Sequence, residues 1–145
     1  MSVQRVSPKE AHGLMAQGYA YVDVRSLPEF EAGHPEGAYN IPLLHMHDGR
    51  MTPNHEFIEV VARAFPKDAH LVMGCRTGRR SLQAAQMLEE AGFTDVLDCR
   101  GGYAGDADMF GRVVEAGWTA QGLPTSQAAQ PGHSYRDMLA RESGR

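Results

Sequence analysis

Apolar residues in this chain fall into short runs separated by glycine and proline, and the period of the runs changes along the sequence. Residues 19–24 (YAYVDV) are aromatic and β-branched, and residues 70–75 (HLVMGC) are almost wholly apolar, so both predict buried strands. Around them the period lengthens to that of a helix. Ser7-Pro8-Lys9-Glu10 is a helix start, with Ser7 as cap, Pro8 in the first turn and Glu10 closing a capping box; AHGLMAQ continues it to a stop at Gly18. LPEFEAG predicts a short helical turn closed by Gly33, and residues 38–41 a short extended piece ended by Pro42. Residues 45–53, with Asp48-Gly49 and Pro53, read as a surface loop. Asn54 is expected to cap a helix running to about Phe65, with Phe57, Val60, Val61, Ala64 and Phe65 on one face and Pro66 as its stop.

SLQAAQMLEEAG predicts a second clear helix, with Leu82, Ala85 and Leu88 inward and Gly92 at its end. Residues 95–97 start another strand, broken at Gly101-Gly102. Between Gly105 and Gly117 the pattern weakens, and Phe110, Val113 and Val114 are the expected packing residues; Gly117-Trp118 and Gly122-Leu123-Pro124 predict one last packed return. After Pro124 the composition becomes linker-like. YRDMLARESGR is then amphipathic, with Tyr135, Met138 and Leu139 expected to dock on their own domain. The reading is therefore one domain over residues 1–125 and a C-terminal tail over 126–145. Strands alternating with helices argue an α/β fold on a parallel sheet. Ligands of such sheets bind beyond the carboxyl ends of strands, which is where Cys75 falls.

Composition narrows the function. With 145 residues, 42% hydrophobic and 22% charged, the chain is long enough for a core of its own. A net charge of -4 leaves no footprint for nucleic acid or an anionic membrane surface. No apolar run reaches the about 18 residues of a membrane span, and the first fifteen residues lack the apolar core of a signal peptide. Two cysteines, Cys75 and Cys99, make no disulfide framework, so the expectation is a reduced, cytoplasmic protein with a cysteine free to act.

In cysteine chemistry the thiolate is the nucleophile. Three features around Cys75 favour it. A helix follows, whose first N–H groups and positive dipole end face the loop. Gly78 permits a positive φ, so successive N–H groups can turn inward as an anion-binding nest. Arg76, Arg79 and Arg80 concentrate positive charge beside it. A cysteine ending an apolar strand is ordinarily a packed hydrophobe; the glycine and three arginines turn that balance toward a reactive thiol.

Cys75-Arg76-Thr77-Gly78-Arg79-Arg80-Ser81 resembles the C-x-x-G-x-R-S active-site loop of rhodanese domains. Tyr21-Val22-Asp23-Val24-Arg25 with Glu29-Phe30 resembles the family's D-V-R-x-x-x-E-F motif. Gly33-His34 through Gly37-Ala38-Tyr39-Asn40-Ile41-Pro42 resembles its G-H-I-P-G-A-x-N-I-P segment, with Pro35-Glu36 where Ile-Pro is usual. Val96-Leu97, Gly101-Gly102, Trp118 and Gly122-Leu123-Pro124 resemble its closing segment. The likeness runs from about Val6 to Thr125 and implies a doubly wound parallel sheet flanked by helices, a persulfide on Cys75, and no metal or organic cofactor. It implies substrate contacts from Arg76, Thr77, Gly78, Arg79 and Arg80, with Asp23, Arg25 and Ser81 in support. Arg80 is expected to point back into the fold and pair with a carboxylate such as Asp23, leaving Arg76 and Arg79 to meet substrate. The stretch between Gly102 and Trp118 is longer than in a minimal domain of this kind and is expected to shape the pocket rim.

The implied partners are a small anionic sulfur donor and a thiol, cyanide or protein acceptor. One rival is a phosphatase or arsenate reductase of Cys-x5-Arg type, but the position that needs arginine there is Ser81. A second is a protein-to-protein sulfur relay with little small-molecule turnover. Cys99 reads as a packed strand-end residue rather than a resolving thiol, and His34 as a hydrogen-bonding turn residue. His45, His47 and Asp48 lack a completing ligand set for a metal.

Overall fold

The computed structural model describes residues 3–141. In chain order the elements are β1 (Gln4–Val6), α1 (Pro8–Met15), β2 (Ala20–Asp23), α2 (Leu27–Ala32), β3 (His34–Pro35), β4 (Tyr39–Asn40), β5 (Leu44–His47), β6 (Arg50–Pro53), α3 (Phe57–Ala64) and β7 (Leu71–Gly74). There follow α4 (Arg79–Glu90), β8 (Val96–Cys99), β9 (Asp106–Ala107), β10 (Val113–Glu115), β11 (Thr125–Ser126) and α5 (Tyr135–Ala140). Five strands form the central sheet in the order β1-β8-β7-β2-β4, and every pair is parallel. Parallel neighbours need crossovers, and the helices that supply them cover both faces of the sheet.

The two-residue period of the strands sorts the core into two clusters. Val22, Leu71, Met73 and Val96 face one side, packed by Phe57, Val60 and Val61 of α3, by Ala84, Ala85 and Leu88 of α4, and by Tyr135 and Met138 of α5. Tyr21, Val72 and Cys99 face the other, with Ala11 of α1, Phe30 of α2 and Trp118. Trp118 is fully buried, and its indole N–H donates to the Pro124 carbonyl at 2.7 Å, so the last packed return expected from the sequence is present. The capping box at the start of α1 is made in both directions, Glu10 N–H to Ser7 Oγ at 3.0 Å and Ser7 N–H to Glu10 Oε1 at 2.8 Å.

Three expectations are corrected. The surface loop over residues 45–53 is an antiparallel hairpin of β5 and β6, turned by Asp48 (φ 50°) and Gly49 (φ 77°), the two positive angles of a tight hairpin turn. Asn54 caps the turn before α3 rather than α3 itself: Oδ1 accepts from the Glu56 N–H while Nδ2 donates to the Pro42 carbonyl and the Tyr135 hydroxyl. Phe110, Val113 and Val114 do not pack. They are 75%, 73% and 65% exposed on or beside the β9–β10 hairpin, because a two-stranded ribbon standing off the domain has nothing to bury them against.

Past Pro124 the chain returns to the domain. β11 pairs antiparallel with β3, and Met138 on α5 is fully buried in the cluster that holds α3. Met138→Ala should lower unfolding stability by about 2–5 kcal/mol in denaturant titration. A loss below about 0.5 kcal/mol would mean that α5 is not part of the cooperative unit.

Candidate active site

β7 delivers Cys75 to the carboxyl edge of the sheet, and the chain turns at once through Gly78 into α4. Gly78 has φ 104°, the left-handed conformation expected of it, and its N–H donates to Cys75 Sγ at 3.1 Å. The Ser81 N–H, in the first turn of α4, donates to the same sulfur at 3.3 Å, and Ser81 Oγ lies 3.4 Å from it. The N–H groups at a helix start have no intrahelical acceptor, so the sulfur takes a place that an anion would fill. Cys75 itself is 1% exposed and lies at the floor of this cradle.

The carbonyls of the same loop are drawn the opposite way. The Cys75 carbonyl accepts from the Tyr103 N–H at 2.8 Å, the Arg76 carbonyl from the Ala104 N–H at 2.8 Å, and the Gly78 carbonyl from Arg5 Nη2 at 3.2 Å. This close approach requires Gly102, since a Cβ there would stand 2.3 Å from the Cys75 carbonyl oxygen. Arg5, Tyr103 and Ala104 were not legible as site residues; the Gly101-Gly102 pair was the one sequence signal that two backbones meet here.

The arginines divide as expected in direction but not in partner. Arg80 turns inward, yet its carboxylate is Glu29 and not Asp23: Nη1 and Nη2 donate to the two Glu29 oxygens at 2.8 and 3.0 Å. Asp23 is taken by Arg25, whose Nε and Nη2 reach it at 2.7–3.1 Å. Arg25 Nη2 also donates to the Gly33 carbonyl at 2.7 Å, and its guanidinium lies over the Tyr103 ring at 4.4 Å. Asp23 is held on β2 only two residues from Arg25, so the nearer guanidinium claims it; Glu29, on the first turn of α2, projects across to the loop. Arg76 and Arg79 are exposed, and Arg79 makes one loose ion pair, 3.5 Å to Asp106 on β9. That contact joins the loop to the β9–β10 hairpin. Thr77, between Arg76 and Arg79 in sequence, is half-buried.

Burial pushes the Glu29 carboxyl up, but the Arg80 hydrogen bonds and charge and the Ser26 contacts outweigh it and bring it down to about 2. Burial drives Cys99 up to about 12, and its side chain is fully buried, as a packed strand-end residue should be. His34 Nδ1 lies 2.7 Å from the Phe30 carbonyl, and its ring stacks on Phe30. His45 and His47 sit on β5 with rings 5.9 Å apart; among the described residues no group of three His, Cys, Asp or Glu side chains is placed to hold a metal.

A parallel sheet wound on both sides, with loop N–H groups aimed at a strand-end cysteine, defines a protein of doubly wound α/β class. Residues 7–108 match the family described as Rhodanese-like domain. The chain is 38% identical over 120 residues to "Thiosulfate sulfurtransferase 16, chloroplastic" of Arabidopsis thaliana, covering 83% of this chain and 90% of that protein. It is 37% identical over 101 residues to the Homo sapiens "Thiosulfate:glutathione sulfurtransferase", covering 68% and 88%. Among solved structures it is similar to Rv0390 from M. tuberculosis, with TM-score 0.73 and 27% identity over 88% of this chain and 100% of that one. The chain belongs to the rhodanese-like domain family and is an enzyme of its sulfurtransferase type.

The Glu29–Arg80 pair sets an acid limb of stability. A carboxyl whose folded value lies near 2, below the ordinary 4.5, stabilises the fold above the ordinary value and loses that contribution as pH falls from about 4.5 toward 2. Thermal melts across this range should fall less steeply for Glu29→Gln and Arg80→Ala than for the parent. Parallel curves for all three proteins would refute the pairing.

Proposed function

We propose that Cys75 is the nucleophile and carries a sulfane sulfur as a persulfide between an anionic donor such as thiosulfate and a thiophilic acceptor such as cyanide, a thiol or a protein cysteine. The observation that carries this reading is the pair of donors on one sulfur, the N–H groups of Gly78 and Ser81 at 3.1 and 3.3 Å, with the Ser81 oxygen also within 3.4 Å. Hydrogen bonds to a charged acceptor are roughly twice as strong as neutral ones, so this cradle favours the thiolate and then the persulfide anion.

The reaction has two displacements. The Cys75 thiolate attacks the outer sulfur of thiosulfate, a new S–S bond forms, and sulfite leaves with the electron pair of the bond that breaks. The acceptor then attacks the terminal sulfur, and the Cys75 sulfur leaves as thiolate. A covalent intermediate of this kind predicts ping-pong kinetics. Arg76 and Arg79, exposed beside the loop, are assigned to donor binding along with Thr77 and the Gly78 backbone. Arg80 is assigned to holding the loop through Glu29, with Asp23, Arg25 and Ser81 in support. Relatives whose names contain thiosulfate support the donor class. A Cys-x5-Arg phosphoryl or arsenyl chemistry is disfavoured, because the position for its oxyanion-clasping arginine holds buried Ser81.

One observation favours a protein acceptor. Met109, Phe110, Val113 and Val114 are exposed at the hairpin that Arg79 and Asp106 join to the loop, an apolar surface beside the cradle. Both cysteines are buried and unpaired, which supports a reducing setting such as the cytoplasm. Among the described residues no helix is long and apolar enough to cross a membrane.

Intact-protein mass spectrometry tests the assignment. Thiosulfate should add about 32 Da, one sulfur atom, and cyanide should remove it. Cys75→Ser should abolish the adduct and Cys99→Ser should retain it; an adduct mapped to Cys99 would overturn the site. The outward arginines have a separate signature. Arg76→Ala and Arg79→Ala should raise KM for thiosulfate severalfold with kcat held within about twofold. A kcat loss at constant KM would place them on the transition state instead.

A further inference from the structure

Asp98 takes no part in the steps above, yet it is fully buried on β8 beneath the cysteine loop. Its Oδ2 accepts from Arg5 Nε at 2.8 Å, and the same guanidinium reaches the Gly78 carbonyl. Its Oδ1 is buried without a completed hydrogen bond. Burial pushes the Asp98 carboxyl up, while the Ser81 hydroxyl and then Arg5 hold it down. Ser81 is fully buried as well, and its oxygen is 3.4 Å from Cys75 Sγ. A hydroxyl has one hydrogen to give. The Cys75 S–H is placed to donate to the Ser81 oxygen, which leaves the Ser81 hydrogen to give, and the buried Asp98 Oδ1 is an acceptor without a donor.

We propose that Asp98 is a positioning residue for Cys75, acting through Ser81, and that the two acidic groups share a single negative charge. With Asp98 ionised, the Ser81 hydrogen is directed to the carboxylate and Cys75 is held as a thiol. In the other state the Cys75 proton passes to Ser81 Oγ as the Ser81 hydrogen passes to Asp98, leaving a thiolate that accepts the new Ser81 O–H. Thiol plus carboxylate becomes thiolate plus carboxylic acid, with no change in net charge and no outside base. The proposal rests on Cys75 being the reactive thiol and not on the identity of the sulfur donor.

The surroundings single out Asp98 for this role. The ionisable groups whose charge acts on the sulfur are Arg80 from α4 and, from the other side of the sheet, Tyr21 of β2 and Cys99 of β8; those acting on Asp98 are Arg5 from β1 and Cys99. Arg80 is fixed in charge by Glu29, and burial pushes Tyr21 and Cys99 well up, so neither changes charge near neutrality. Two acidic groups joined by one hydroxyl titrate as a pair, and the charge of one opposes the charge of the other.

Alkylation of Cys75 by iodoacetamide, followed by mass across a pH series, tests this without requiring sulfur transfer. Asp98→Asn keeps the shape and the oxygen that Arg5 needs but removes the competing charge. Its alkylation profile should move to lower pH, with a rate roughly threefold or more above the parent near about pH 6.5 and the same plateau. Placed on Ser81→Ala, the same substitution should have less than about half that effect. A carboxylate that merely held the loop would move the profile up on removal, because the N–H groups would lose their aim. An unchanged or raised profile therefore overturns the proposal. Should Asp98→Asn fail to fold, carboxyl carbon NMR titration of the full-length parent supplies the second measurement. The Asp98 signal should show an inflection at the pH where Cys75 becomes alkylatable, and Cys75→Ser should abolish it. Identical Asp98 curves in the two proteins would overturn it equally.

Discussion

Each peptide in the segment after β7 has a donor at one end and an acceptor at the other, and the site depends on which end faces the sulfur. Aiming the N–H groups of Gly78 and Ser81 at Cys75 demands that nearby carbonyls find partners elsewhere. They do so on two separate pieces of chain: Tyr103 and Ala104 after β8, and Arg5 on β1. The loop is thus held from outside, and the field at the sulfur is a consequence of that outer grip. Gly102 is where the grip is tightest, because its missing side chain lets one backbone lie directly on another.

The charged residues around the loop do two different jobs. Arg25 and Asp23 are buried together, and a buried pair is stabilising only when its remaining hydrogen-bonding capacity is met. Here the Gly33 carbonyl takes a guanidinium N–H and the Tyr103 ring covers its face, so the pair ties β2 to the chain on either side of the site. Glu29 and Arg80 form a two-pronged contact from α2 to α4, with Glu29 also closing the start of α2 through Ser26. One carboxylate therefore secures a helix terminus and the loop at once. Arg5 makes a comparable link from β1, holding buried Asp98 of β8 and the Gly78 carbonyl of the loop with one guanidinium.

Beside these clamps, the outward arginines and the apolar residues of the β9–β10 hairpin are exposed to solvent. The backbone bonds from Tyr103 and Ala104 hold the chain entering the hairpin against the cysteine loop, and the exposed Arg79–Asp106 ion pair adds little to that. The family match ends at residue 108, so the apolar residues of the hairpin lie at and beyond the end of the shared framework.

Much of this was legible along the chain. The strand that carries Cys75, the helix after it, the capping box of α1 and the need for a positive φ at Gly78 all follow from chemistry between near neighbours, which local sequence encodes directly. The motif around Cys75 likewise anticipated the inward turn of Arg80. What sequence could not assign were partners distant along the chain. Asp23 and Glu29 lie in one motif, and nothing in their spacing says which carboxylate Arg80 reaches; the packing of α2 against the loop decided that. Arg5 and Asp98 are separated by 93 residues and meet only because β1 pairs beside β8 in the parallel sheet. Phe110, Val113 and Val114 look like core residues by type, but an apolar pattern states which residues gain from burial and not whether any surface is there to cover them. Met138 meets such a surface and is buried; the hairpin does not, and only the tertiary structure could tell the two apart.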